Sequence, residues 1–196
     1  IGILFATQLG LPAGAVLLTA VQILYVNLLT DGLPAIALAL EPIELGVMKR
    51  RPRRRGEGVF TPTVLRFIGV GGVWSCVMCL GTFLWAMHSG RSFLEAQTMC
   101  FVTLVLIQFV KAFNFRSLEE SIFKMSPFTN NWLIGANLIG CILLVLIIYL
   151  PSLQKPFGTY PLSIEDWVVV VLATLTVFVV LEITKSINRY LSPPGR

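Results

Sequence analysis

Five long apolar runs, separated by short polar segments, limit what this chain can become. They cover residues 15–40, 63–88, 95–113, 132–150 and 165–187. A helix needs about 20 mainly apolar residues to cross the hydrocarbon core of a bilayer, and each run meets that length. Only 13% of the residues are charged and 56% are hydrophobic, whereas about a quarter of a soluble domain is charged. The expected fold class is all-α: a polytopic transmembrane helix bundle with five full spans and a truncated N-terminal helix. The stub is residues 1–9, too short to span, followed by a Gly-Pro turn at 10–14. A chain that opens on Ile1 inside an apolar stretch is expected to be a fragment of a longer polypeptide.

Positive charge sets the orientation. Loops 41–62 and 114–131 and the C-terminal tail lie on one side, and segments 10–14, 89–94 and 151–163 on the other. Of the fifteen Lys and Arg residues, only Arg91 and Lys155 belong to the second side. The first side is therefore expected to be cytoplasmic. The net charge of +5 follows the membrane and gives no reason to expect a nucleic-acid partner. Lys49, Arg50, Arg51, Arg53, Arg54 and Arg55 form a basic block. It suits contact with anionic lipid, worth about 1 kcal/mol per charge, or docking against a cytoplasmic domain of the same protein. The four cysteines, Cys76, Cys79, Cys100 and Cys141, fall in apolar segments and read as small buried side chains. With one His, no Gly-rich phosphate loop and no His/Cys ligand cluster, the chain carries no catalytic constellation.

The first span breaks its own apolar pattern at Asn27-Leu28-Leu29-Thr30-Asp31-Gly32-Leu33-Pro34. An acid at the centre of a bilayer costs about 2.5–3.5 kcal/mol on the insertion scale, which makes Asp31 a functional residue by default. No Lys or Arg stands mid-span to pair with it. In an α-helix Asn27, Thr30 and Asp31 share a face. Pro34 has no N–H and its ring crowds the Thr30 carbonyl, so the helix is expected to loosen there. Carboxylate, amide, hydroxyl and backbone oxygens are what a dehydrated hard cation requires. Gln108 is the other mid-span polar residue of interest, either a bond to a neighbouring helix or part of the site. Glu182 and Lys185 are expected to form an i, i+3 ion pair at the interface. His88 and most of Trp74, Trp85, Trp132 and Trp167 suit the interfacial belt.

The run from Val21 to Ala35, with its Asn-x-x-Thr-Asp-Gly-x-Pro motif, resembles the sixth transmembrane helix of P-type cation-transporting ATPases, calcium pumps above all. Leu9-Gly10-Leu11-Pro12 resembles the luminal turn before it, and Glu41-Pro42 with Met48-Lys49-Arg50-Arg51-Pro52-Arg53 the loop after it. Phe113-Asn114 with Arg116-Ser117-Leu118 is similar to the end of helix eight, and Asn131-Trp132-Leu133 to the start of helix nine. The resemblance covers essentially the whole chain, from the end of helix five to helix ten. Residues 1–196 would then be the single C-terminal transmembrane domain, without the cytoplasmic catalytic domains.

The resemblance implies that Asn27, Thr30 and Asp31 coordinate a transported cation, Ca2+ being the expected one. It places Gln108 at a position that is glutamate in two-site calcium pumps. The amide removes a charge and puts two-ion stoichiometry in doubt. Ligands from helices four and five would lie before Ile1, as would the aspartate phosphorylated from Mg-ATP. The expected partners are the lipid bilayer and the missing N-terminal part of the same polypeptide. The short 89–94 connection is more like plasma-membrane or bacterial members, so a plasma membrane is the expected location. A sodium, potassium or proton pump of the same superfamily is the alternative, as is a stand-alone ion-binding or regulatory membrane protein.

Overall fold

The structure, a computed structural model, describes residues 16–42, 58, 60–117, 122 and 129–191. The stub 1–9, the turn 10–14, the basic block 49–55, most of loop 114–131 and residues 192–196 lie outside the described residues. Every regular element among the described residues is helical. In chain order these are α1 (Ala20–Tyr25), a π-helical turn (Val26–Gly32), α2 (Leu33–Ala39), α3 (Pro62–His88), α4 (Phe93–Asn114), α5 (Asn131–Tyr149), α6 (Pro151–Phe157) and α7 (Ile164–Leu191). α1, the π turn and α2 form one span, Ala20–Ala39. With α3, α4, α5 and α7 it makes five helices long and apolar enough to cross a membrane.

Local chemistry starts the helices where the sequence changes character. Thr61 caps α3, accepting a hydrogen bond from the Val64 N–H at 3.3 Å, and Pro62 follows at the first position, where a missing N–H costs nothing. Ser92 and Glu95 form a reciprocal capping box at α4. Asn130 accepts from the Leu133 N–H at 3.0 Å to open α5. Each cap contributes about 1 kcal/mol. The 151–163 connection holds α6. Pro151 suits the first turn of that helix, and Gly158 closes it at φ 61°, in the left-handed region.

α4 is the central helix. Every residue from Ala96 to Thr103 is buried, so the helix is covered around its whole circumference. It packs against α3 and α7 on one flank and against α5, the π turn and α2 on the other. The remaining spans turn apolar faces outward, as lipid requires. On α7, Val168, Leu172, Leu175, Val179 and Ile183 follow helical spacing and are exposed. Polar groups sit inside: the Thr103 hydroxyl donates to Thr82 Oγ1 at 3.2 Å between α4 and α3. α5 comes close to α4 at Gly140, where a β-carbon would overlap the Phe109 ring. The Gly140 carbonyl also accepts the Tyr25 hydroxyl at 2.8 Å.

Hydrogen bonds fasten the first span at both ends. At its start, Thr19 and Gln22 form a capping box, and the buried Gln22 donates to the Phe157 carbonyl at 3.0 Å. Gln97 of α4 donates to the Val16 carbonyl at 2.7 Å. At the far end Arg116 donates to Glu41 Oε1 through Nε at 2.8 Å and Nη2 at 2.7 Å. Asn130 donates there to Glu41 Oε2 at 2.6 Å and to the Ala37 carbonyl at 2.9 Å. The other spans have fastenings of their own. Arg91 reaches Asp166 at 2.5 Å and Glu165 at 3.2 Å, with its guanidinium 4.9 Å above the Trp85 ring. The hydrogen bond to Asp166 holds the Arg91 guanidinium above its ordinary range.

Glu182 and Lys185 pair as expected, at 3.0 Å, with Lys185 buried in the bundle. Trp74 lies mid-way along α3 and donates to Thr176 of α7 at 3.2 Å, which makes it a bundle contact.

Candidate ion site

The motif residues sit on the π turn. The expected loosening before Pro34 takes the form of a widened winding, Val26–Gly32, rather than a break. Two features of the sequence account for it. Pro34 offers no N–H to the preceding turn. The Thr30 hydroxyl donates to its own turn, to the Val26 carbonyl at 2.7 Å, a back-bond that bends helices. A β-carbon on Gly32 would lie 3.6 Å from the Asn27 carbonyl, five residues back, the relation that i→i+5 winding produces.

This winding divides the face the three residues were expected to share. Thr30 is 2% exposed and points into the bundle, whereas Asn27 and Asp31 are exposed. In a widened turn the residue four ahead stays on the same side and the residue three ahead rotates off it. Asn27 and Asp31 therefore stay together, and Thr30 lies to their inner side. Gln108 is half-buried on α4, the helix that packs against the π turn. The side chains of Asn27, Asp31 and Gln108 have no hydrogen-bond partner among the described residues.

Chemically these side chains offer oxygens of the kind a hard cation takes. Ca2+ takes about six to eight oxygens, more than these four side chains can offer. Among the described residues, no three His, Cys, Asp or Glu side chains gather as a metal group. The described oxygens come from one carboxylate with an amide beside it, a buried hydroxyl and a second amide on α4. The cysteines are free thiols, with Cys79 and Cys100 buried between α3 and α4.

One residue escaped the sequence reading. Lys111, in the last turn of α4, is half-buried, with its stem beside Gly71 of α3, so a basic residue does lie within the bundle. The available signal was its spacing, three residues beyond Gln108 and hence on the same helix face.

Known proteins match along the same stretch. The family model described as cation transporting ATPase, C-terminus, matches residues 15–187. The chain is 42% identical over 169 residues, 86% of its length, to a calcium-transporting ATPase of Bacillus subtilis. It is 38% identical, again over 86% of its length, to calcium-transporting ATPase 1 of Bacillus cereus. It is 30% identical over 95% of its length to an endoplasmic reticulum-type calcium-transporting ATPase 3 of Arabidopsis thaliana. The chain spans 18% to 21% of the length of these curated relatives. Five apolar helices and this likeness make it a multi-pass membrane protein. The family match reaches into all five spans, and the chain belongs to the C-terminal membrane region of the P-type cation-transporting ATPases.

Proposed function

We propose that this chain is the C-terminal transmembrane domain of an ATP-driven calcium pump and supplies part of its transport site. The observation that carries the reading is Asp31, an acid without a hydrogen-bond partner on a π turn in the middle of an apolar span. Asp31 is the charged ligand, Asn27 its neutral neighbour, and Thr30 and Gln108 offer oxygens from the inner side. The shell is short of oxygens and of negative charge, so the remaining ligands come from the rest of the polypeptide. That part also holds the domains that bind Mg-ATP and accept its phosphoryl group. Loops 41–62 and 114–131 face the cytoplasm, the bilayer surrounds the outward apolar faces, and the membrane is a plasma membrane. The names of the relatives favour Ca2+ over sodium, potassium or protons as the cargo.

The test is Asp31→Asn in the complete protein. Calcium-dependent phosphorylation by ATP is expected to vanish, while phosphorylation by inorganic phosphate without calcium persists and reports an intact fold. Wild-type calcium dependence in this variant would sink the assignment. Phosphorylation of the wild type that responds to sodium or potassium and ignores calcium would reassign the cargo.

A further inference from the structure

Between Trp132 and Ile148, α5 carries only one amide, hydroxyl or charged side chain, that of Asn137. It is 6% exposed, so neither bulk water nor headgroups account for it. Its Nδ2 donates to the Phe109 carbonyl of α4 at 3.5 Å, a long bond, and its Oδ1 accepts nothing. Turning the amide round would not help, because Oδ1 would then face the Phe109 carbonyl, acceptor against acceptor. A buried acceptor without a donor destabilises a fold, and a leucine would fill the same place without that cost.

Contacts on either side fix the depth of this oxygen. Ala37 of α2, Ala112 of α4 and Leu133 of α5 form one buried cluster at one end of the bundle. One helical turn further in lie Gln108 on α4 and Asn137 on α5, each four residues from its member of that cluster and on the same face. About one turn beyond Asn137, the Gly140 carbonyl accepts the hydroxyl of Tyr25, just before the π turn. Asn137 therefore lies between two points where α5 meets the first span, and the π turn packs against α5. The first-span side chains buried between those points are Val26, Thr30 and Pro34, of which Thr30 is the polar one. The Thr30 hydroxyl proton is already given to the Val26 carbonyl, so its oxygen can only accept. Two acceptors at one depth on adjoining helices call for a group that brings hydrogens or positive charge.

Resting on the reading of Thr30 and Gln108 as inner ligands, we infer that Asn137 is a positioning residue of the ion site, whose Oδ1 holds a water molecule that joins the cation's shell from the inner side. A water that ligates a cation turns its oxygen to the ion and its hydrogens away, so it needs acceptors behind it. Asn137 Oδ1 is such an acceptor. Ca2+ accepts waters among its about six to eight oxygens, and a water adds a ligand without adding charge.

The experiment uses the complete protein. Asn137→Leu removes both arms of the amide at similar volume. It is expected to raise the calcium concentration for half-maximal phosphorylation about tenfold, the effect of one such hydrogen bond, with thermal inactivation unchanged or later. Asn137→Asp keeps the acceptor, and is expected to bind calcium at least as tightly as the wild type. A merely structural amide would act through its bond to Phe109. Asp would then be as damaging as Leu, and stability would fall along with affinity. That result would overturn the inference. So would wild-type half-saturation in an Asn137→Leu protein that is phosphorylated normally by inorganic phosphate. Should Asn137→Leu fail that folding control, a raised half-saturation in Asn137→Asp overturns the inference alone. The two readings fail separately. Calcium dependence retained in Asp31→Asn removes the site itself, whereas its loss there with no effect of Asn137→Leu removes only the role of Asn137.

Discussion

The first span is held in opposite ways on its two sides. Its inner side is fastened at intervals: Gln22 to α6, Tyr25 to Gly140, and Glu41 and Ala37 to Arg116 and Asn130. Its outer side, at Asn27 and Asp31, makes no side-chain hydrogen bond among the described residues. On the proposed function, the difference separates two tasks. A site that must take up and release a cation cannot be locked by internal partners, because each would have to be displaced on every cycle. The scaffold that positions the site gains from every satisfied bond. Substitutions on the fastened side should therefore change stability and leave calcium affinity alone, and those on the open side should do the reverse.

The largest stability effect is expected at the Arg116–Glu41 pair, whose side chains are 3% and 15% exposed. Breaking such a pair leaves an uncompensated charge, and Arg116→Met should cost about 3 kcal/mol. Replacing both residues by Met should recover most of the loss, because the desolvation of both charges disappears together. Thermal inactivation of the complete protein in detergent measures both. If the single and double variants lose equal stability, the pair is not acting as a buried pair.

Gly140→Ala comes next. Its added carbon would meet the Phe109 ring, and overpacking of this kind should cost about 2 kcal/mol. Because Tyr25 also bonds at this point, the damage reaches the turn just before the π winding. Half-saturating calcium in the surviving protein is nonetheless expected to stay near wild type. A large shift there would break the separation between the two sides. Gln22→Leu should cost less, about 1 kcal/mol, through the lost capping box and the bond to Phe157.

Apolar run length and charge asymmetry made the bundle legible from sequence. The five spans lie within a few residues of their expected places because burial in lipid leaves few alternatives. Asp31 stood out as a candidate for the same reason, since its cost in an apolar run demands an account. The division of the site was not legible. An i, i+3, i+4 pattern assumes α winding, and nothing in residue type alone announces that Thr30 back-bonds to Val26 while Pro34 withholds a donor. Lys111 was passed over because long basic side chains near span ends usually reach for water. Its stem instead follows α3 at Gly71, a contact between helices that no local pattern encodes. α6 was missed because a short, proline-rich segment carries too few residues for its periodicity to show.

The smallest stability change, and the most telling one, is expected from Pro34→Ala. The variant restores an N–H to the turn above Thr30 and loses some packing of a buried ring, so the two effects nearly cancel, within about 1 kcal/mol. With the donor back, α winding becomes available through residues 26–32, and Thr30 would rotate back onto the face of Asn27 and Asp31. The site would keep every ligand and lose its spacing. Calcium affinity should then fall several-fold with stability nearly unchanged, the reverse of Gly140→Ala. Calcium-dependent phosphorylation alongside thermal inactivation resolves the two. Unchanged affinity in Pro34→Ala would mean that the π winding follows from packing against α4 and α5, and that Pro34 is not what holds it open.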